Sequence, residues 1–594
     1  MHRRATAVAA LVTGLGLAIG GAALPAAADI VDSPIEDWVD ASEFTMAPIG
    51  TYESGIYNEG ASEIVAYHGA TQRMFVVNAD AAVVQVLDIS DPTNPAWLFD
   101  IATESLVPGG TANSVAVRAD GLGAIAVEAD PKTANGSVVF FDATGPAPLL
   151  GAVTVGALPD MVTFTPDGTR VVVANEGEPN DAVTIDPDGT VSIIPVPATV
   201  TAPVGGVQTA VFTGFNAAPP AGVRVFGLPG TTLSQSVEPE YITVSPDSTT
   251  AYVTLQEANA IATVNLATAT VTALSPLGFK DWSQSALDAS NNDAVEIKPF
   301  PVFGMYQPDA IGSVDGYLVT ANEGDVRDWD GYSEETSIED VELCEGVLDD
   351  FVGEPGYPAT VADFQGDDGF GPLKITNTLG DTGECFDSLY AFGARSFSVW
   401  TTSGQLVFDS GDDFEQLTAA LVPDFFNSNH EVSNFDNRSD DKGPEPEGLA
   451  IGEVDGVPYV FIGFERFGGV AVYRLTDPTA PEYVGYINNR DFAVDGDDGL
   501  EGAGDLGPEG LAFISAAQSP TGAPLLAVGN EVSGSTTIYS ITTPHPQAVL
   551  PNTGAQHDAT LWIVASGILL ALGGSAVVHR RRARHGALVR SRLS

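Results

Sequence analysis

Seven times along this chain an acidic or amide residue, most often preceded by proline, opens an apolar run that turns back and closes on Asn or Glu. The clearest copies are "LPDMVTFTPDGTRVVVANEGEPND" (Asp160 to Glu176), "EPEYITVSPDSTTAYVTLQEANA" (Glu240 to Glu257) and "QPDAIGSVDGYLVTANEGD" (Asp309 to Glu323). "EPEGLAIGEVDGVPYVFIGFERFGG" (Glu447 to Glu465) and "GPEGLAFISAAQSPTGAPLLAVGNEVSG" (Glu509 to Glu531) follow the same plan, and two looser copies come first, opening at Glu63 and Asn113. Each copy reads as a β-hairpin, with β-branched and aromatic runs flanking turn chemistry such as "PDG". Most are followed by a third strand, as in "NAIATVNLA" and "GGVAVYRLT". A unit of three or four antiparallel strands cannot bury both faces alone, so such units predict a closed ring of blades. The expected fold is all-β, a seven-bladed β-propeller over residues 29–541. An eight-bladed ring or a β-sandwich array is the alternative.

The spacing carries a site. In five copies the opening acid and the closing Glu lie 14 to 22 residues apart, one hairpin's length. A hairpin returns to its start, so both residues emerge at the same end of their blade. Glu63, Asn113, Asp160, Glu240, Asp309, Glu447 and Glu509, with Glu176, Glu257, Glu323, Glu465 and Glu531, are therefore expected around one mouth of the central channel. Proline stiffens the strand entry where no ladder donor is needed. Glycine after the acid, in "PEG", lets backbones crowd the axis.

Both ends carry processing signals. Residues 1–28 join an Arg-containing start to a short apolar stretch and "PAAA", the pattern of a secretory leader. At the other end, a linker over 542–558 contains "LPNTG" (Leu550, Pro551, Asn552, Thr553, Gly554), followed by apolar residues 559–578 and a basic tail at 579–594. Some 20 apolar residues suffice for a transmembrane helix, with the Arg-rich end cytoplasmic. The order of pentapeptide, span and tail resembles the cell-wall sorting signal of Gram-positive surface proteins. That resemblance implies a sortase partner cutting between Thr553 and Gly554, and covalent attachment to peptidoglycan through Thr553.

Between the ends, 15 basic residues stand against 78 acidic ones, a formal charge near −63. Such a surface repels nucleic acid, whose phosphates need Lys and Arg. The two cysteines, Cys344 and Cys385, lie 41 positions apart in the exported part, where a disulfide is expected.

The interval from Asp309 to Glu447 is 138 residues, against 80 or fewer between other copies, so residues 325–445 hold blade strands plus a long insertion. Two acidic clusters suit calcium, which takes six to eight oxygens in forgiving geometry. One is Asp325, Asp328 and Asp330; the other is Asp495, Asp497 and Glu501. Arg327, Arg395, Arg438 and Lys442 are candidates for gripping an anion. His68 and His430, the histidines within the repeats, read as turn or surface residues. No "GxSxG" elbow, Cys/His zinc spacing or P-loop is present.

The stretches "ALPDMVTFTPDGTRVVVANEGEPND", "ANEGDVRDWDGYSEE", "LYAFGARSFSVW", "RSDDKGPEPEG" and "DLGPEGLAFIS" resemble the choice-of-anchor I family, exported propeller-like proteins held by different C-terminal anchors. The resemblance covers about residues 57–541 and implies fold and location but assigns no catalytic residue. The reading that emerges is a wall-anchored binding or interaction module that shows an acidic, calcium-holding mouth to a surface ligand. The alternative is a calcium-dependent, phytase-like or esterase-like hydrolase acting on phosphate esters.

Overall fold

A computed structural model describes residues 30–366, 369–494 and 502–543. Outside them fall the leader at 1–28, the motif Leu550–Gly554, the apolar segment 559–578, the basic tail and the candidate ligands Asp495, Asp497 and Glu501. Among the described residues no helix is long and apolar enough to cross a membrane.

The chain is all-β. Val65–His68, Arg73–Asn78, Val83–Asp88 and Ala96–Ala102 form a first antiparallel sheet of four consecutive strands. The second runs from Ala112–Val117 to Leu149–Ala157, the third from Pro159–Phe164 to Gln208–Val211, and the fourth from Pro239–Val244 to Thr270–Pro276. The fifth comprises Ile311–Val314, Tyr317–Asn322, Ser396–Thr401 and Leu406–Asp409. The sixth begins at Pro446–Val454 and the seventh at Pro508–Ile514.

The start of the chain completes the last two sheets. Ile35–Trp38 pairs with Glu482–Asn488, and Thr45–Glu53 pairs with Ser535–Thr542. These pairings join residues more than 400 positions apart, and no local pattern in the sequence announces them. The opening strands of successive sheets are neighbours, and Val65–His68 of the first also meets Pro508–Ile514 of the seventh.

Burial follows from this arrangement. Inner strands covered on both faces read as continuous apolar runs, as in Leu122–Val127, where all six residues are buried. The outermost strand Ala96–Ala102 is mostly exposed. The core lies between sheets. Phe75, Val86 and Phe141 pack the first against the second, Val172, Ile193 and Val253 the third against the fourth, and Phe397, Phe464 and Tyr473 the fifth against the sixth. Each such side chain contributes roughly 1.5–3 kcal/mol by leaving water.

The insertion forms a separate layer. Residues 323–395 leave between the second and third strands of the fifth sheet. Together with Phe279–Asp281 and Phe303–Met305, which precede that sheet, they build a five-stranded sheet around Phe300, Phe364 and Phe370. This layer therefore starts upstream of the expected 325–445 interval. A disulfide joins Cys344 to Cys385, with their Cα atoms 5.0 Å apart.

Candidate functional site

One backbone device recurs where the inner strands begin. The residue before proline lies in the left-handed region at Leu158 (φ 46°), Glu238 (φ 36°), Gln307 (φ 40°) and Glu445 (φ 52°), and Gly507 (φ 70°) takes the place in the seventh sheet. Few non-glycine residues adopt this conformation, so its recurrence marks a constraint imposed by the surrounding structure. The carbonyl of that residue accepts a hydrogen bond from the residue closing the hairpin: Glu176 N–H to Leu158 at 2.9 Å, Glu465 to Glu445 at 2.8 Å and Glu531 to Gly507 at 2.8 Å. The two ends of the hairpin are thereby tied together.

A β-bulge then follows the proline in the third, fourth, sixth and seventh sheets. One extra residue re-aims a side chain, and within that bulge lies the acid. Glycine after it has a steric reason. A Cβ on Gly448 would lie 2.0 Å from the Glu509 carbonyl oxygen, and one on Gly510 would lie 2.4 Å from that of Glu63.

The opening residues Glu63, Asn113, Asp160, Glu240, Asp309, Glu447 and Glu509 all line a single cavity of about 420 Å³. Glu176, Glu323, Glu465 and Glu531 line it too. Glu257 is not among the lining residues, and the register explains why. Pro239 pairs with Leu255 as Pro159 pairs with Asn175, so Gln256 is the counterpart of Glu176. A one-residue offset turns a side chain to the other face. Gln256 lines the cavity and donates its amide to Glu323 Oε2 at 2.9 Å.

The other candidates divide. Asp325 lines the cavity, whereas Asp328 and Asp330 are exposed on a short hairpin in which Asp328–Trp329 pairs with Tyr332–Ser333. Lys442 reaches the cavity. Arg327 is buried against Glu238, its Nε 2.9 Å from Oε2. Arg395 is buried against Glu415 at 2.7 Å and the carbonyls of Asp288, Ser439 and Asp441. Both guanidinium groups pair with these partners, and neither lines the cavity. Arg438 lies behind it on Glu445. His68 and His430, expected at turns or on the surface, are both buried. His68 is held by Thr71 and the Ala119 carbonyl, His430 by Glu465 and Arg466.

Arg466, which was not anticipated, completes a cationic side with Lys442 and Arg438. Fully buried Glu445 takes Lys442 at 3.0 Å, Arg466 at 3.2 Å and Arg438 Nε at 3.0 Å. Arg466 also pairs with Glu465 at 3.1 Å, and His430 Nδ1 lies 3.3 Å from the same carboxylate. The signal was present in the sequence, since Glu445 and Arg466 directly adjoin the repeated motif in "PEPEG" and "FERFGG".

The electrostatics follow this division. Burial alone would raise the Glu445 carboxyl, but Lys442, Arg438 and Arg466 outweigh it and hold the group far below the carboxylate range. Glu465 falls to about 2, because Arg466 and a His430 hydrogen bond overcome its burial. Elsewhere burial and like charge act together. Glu63 rises to about 8, with Asp160 and Glu128 beside it, and Asp160 to about 7, with Glu178 and Glu128 nearby. Glu176, Glu240, Asp309, Glu447 and Glu509 are pushed well above the usual range for the same two reasons. In two places an opening acid, its closing Glu and the next sheet's opening acid bring carboxylate oxygens within 4.8 Å of one another: Asp160–Glu176–Glu240 and Asp309–Glu323–Glu447. Such oxygen-only sets suit a hard divalent cation.

Fold and cavity together define a β-propeller with a carboxylate-lined mouth. The chain belongs to the choice-of-anchor I domain family, whose profile matches residues 63–478, and is a β-propeller surface protein. It is similar to the mesenchyme-specific cell surface glycoprotein of Strongylocentrotus purpuratus, 31% identical over 293 residues, covering 41% of this chain and 35% of that protein. It is also similar to Gigasin-3a of Magallana gigas, 32% identical over 165 residues, covering 26% of this chain and 58% of that protein. The chain thus spans less than two thirds of either relative. Among solved structures, a streptogramin B lyase is similar at TM-score 0.41 and 10% identity, covering 84% of this chain and 98% of that one. The β-propeller domain of Myceliophteria thermophila Cps50 (Swd1) is similar at TM-score 0.40 and 9% identity, covering 84% and 100%. Neither carries an inference about ligand or reaction.

Proposed function

We propose that this chain is an exported, wall-tethered propeller of seven blades that acts as a binding module, with calcium held in its acidic mouth. On this reading residues 1–28 are removed on export. A sortase then breaks the Thr553–Gly554 amide and joins the Thr553 carbonyl to a peptidoglycan amine, and segment 559–578 holds the chain in the membrane until that step. The order of motif, apolar segment and Arg-rich tail supports the anchoring, and the family supports the surface location.

One observation carries the binding reading. Eleven carboxylates and only two basic side chains line the one cavity. Carboxylates buried together repel and take up protons unless a cation answers them. Calcium would relieve that repulsion, and its remaining coordination positions would accept oxygens of a surface ligand. Calorimetric titration of the full chain with Ca²⁺ tests this. The expected result is saturable binding and a melting temperature that rises with Ca²⁺ and falls with chelator. Absence of both effects contradicts the proposal.

Calcium-dependent hydrolysis of phosphate esters is the second reading, favoured by Lys442 and Arg466 lining the same cavity as the acids. A metal there would polarise the phosphate and activate water. Both cations are already paired with Glu323, Glu445 and Glu465, which favours the binding module. Turnover of a phosphate ester by the full chain, present with Ca²⁺ and absent with chelator, would establish the hydrolase.

A further inference from the structure

We infer that the calcium ion sits on Asp160, Glu176 and Glu240, where the third sheet meets the fourth, and that the ammonium of Lys442 stands in for an ion at the corresponding Asp309–Glu323–Glu447 set. This rests on the proposed calcium-binding mouth and assigns its seat and stoichiometry.

The two sets are equivalent by construction. Each joins the opening acid and closing Glu of one sheet to the opening acid of the next, with oxygens within 4.8 Å. They differ in what else touches them. At the second set Lys442 Nζ lies 3.2 Å from Glu323 Oε1, and Gln256 donates to Glu323 Oε2 at 2.9 Å, so both oxygens of that carboxylate are engaged. Lys442 is itself fixed by the Gly324 carbonyl at 2.6 Å and Glu445 at 3.0 Å.

At the first set no side chain plays that part. Glu240 is only 9% exposed, lines the cavity, and has no hydrogen-bond or ion-pair partner for its carboxylate among the described residues. Asp160 and Glu176 likewise have none. A buried carboxylate without a partner is costly. Three facing one another leave a gap suited to a doubly charged ion that prefers carboxylate oxygen. Neither histidine nor cysteine belongs to the set, so its donors favour calcium over a softer metal.

Calorimetry of the full chain with CaCl₂ is the test, with circular dichroism verifying the fold of each variant. The wild-type chain is expected to bind one ion in the mouth. Glu240→Gln and Asp160→Asn should each weaken binding by roughly a hundredfold or more, while Asp247→Asn, an exposed turn acid, leaves it unchanged. Lys442→Met should raise the stoichiometry from one to two; Lys442→Gln serves if the methionine variant does not fold. Calcium binding that survives Glu240→Gln and Asp160→Asn at wild-type affinity would overturn the seat while leaving a calcium-binding mouth intact. A stoichiometry unchanged in both Lys442 variants would overturn the counter-ion role. Wild-type protein that binds no calcium would overturn the mouth reading itself.

Discussion

The joint between the third and fourth sheets and the joint between the fifth and sixth share one backbone device and differ in what answers their charge. Both present an opening acid, a closing Glu and a neighbour's acid. At the first joint the carboxylates face only one another. At the second, Lys442 and Arg438, from the segment just before the sixth sheet, and Arg466, from the turn after its second strand, converge on Glu445. The repeat thus supplies negative charge around the axis, and residues outside the repeat decide where it is neutralised. At the second joint Glu323 has Lys442 as a partner while Asp309 and Glu447 stay raised by burial and like charge, and at the first joint no cation among the described residues pairs with the set.

The largest expected effect comes from removing the anion at the centre of the cationic side. Glu445→Ala leaves three buried or half-buried cations without their common partner. Loss of one member of a buried pair costs roughly 3–5 kcal/mol, read as a lower denaturant midpoint with unchanged slope. The equivalent truncation at the other joint, Glu240→Ala, relieves repulsion and should leave the metal-free chain as stable or more so. Equal destabilisation by the two would erase the distinction.

Opening the disulfide comes next. Replacing Cys344 and Cys385 by alanine frees a loop of 41 residues, which chain entropy values at roughly 4 kcal/mol or less. Melting of the insertion should be affected, with calcium affinity in the mouth retained.

The pH dependence separates the two sides by sign. Glu63, with Asp160 and Glu128 beside it, has a folded pKa of about 8 against an ordinary 4.5. The folded state binds the extra proton, so this group's contribution is fully present below about 4.5 and is lost as pH rises towards 8. Glu465 is the reverse. Its folded value of about 2 gives stability present above about 4.5 and lost as pH falls towards 2. Metal-free protein should therefore be most stable in mildly acidic solution, and calcium should flatten the decline above that range. Urea midpoints across pH, with and without chelator, measure both limbs.

The smallest effect tests the register. Gln256→Glu removes an amide from Glu323 and adds a carboxylate to the mouth. It should cost the metal-free chain about 1–3 kcal/mol, with calcium restoring part of the loss, whereas Glu257→Gln should leave calcium affinity unchanged.

These particulars show what was readable in the sequence. Proline and acid at the strand entries of the third to seventh sheets, with glycine after Glu447 and Glu509, are local requirements of strands that begin near a crowded axis, so Asp160, Glu447 and Glu509 could be found from spacing alone. Glu257 was mistaken for Gln256 because the closing position is fixed by the pairing of Pro239 with Leu255, and a single residue of register is invisible without the partner strand. The strands Ile35–Trp38 and Thr45–Glu53 were hidden because their partners lie at the far end of the chain. His430 and Arg466 meet only when the segment between the fifth and sixth sheets folds against the sixth. Counter-charges that depend on tertiary contact leave no periodicity to read.

The central claim is that the hairpin ends form a mouth whose uncompensated acids hold a cation. Anomalous diffraction from crystals of the protein grown with calcium tests it most directly. The account predicts a peak roughly 2.3–2.6 Å from carboxylate oxygens of Asp160, Glu176 and Glu240. A mouth without a peak, with calcium instead on the exposed Asp328 and Asp330, would contradict it.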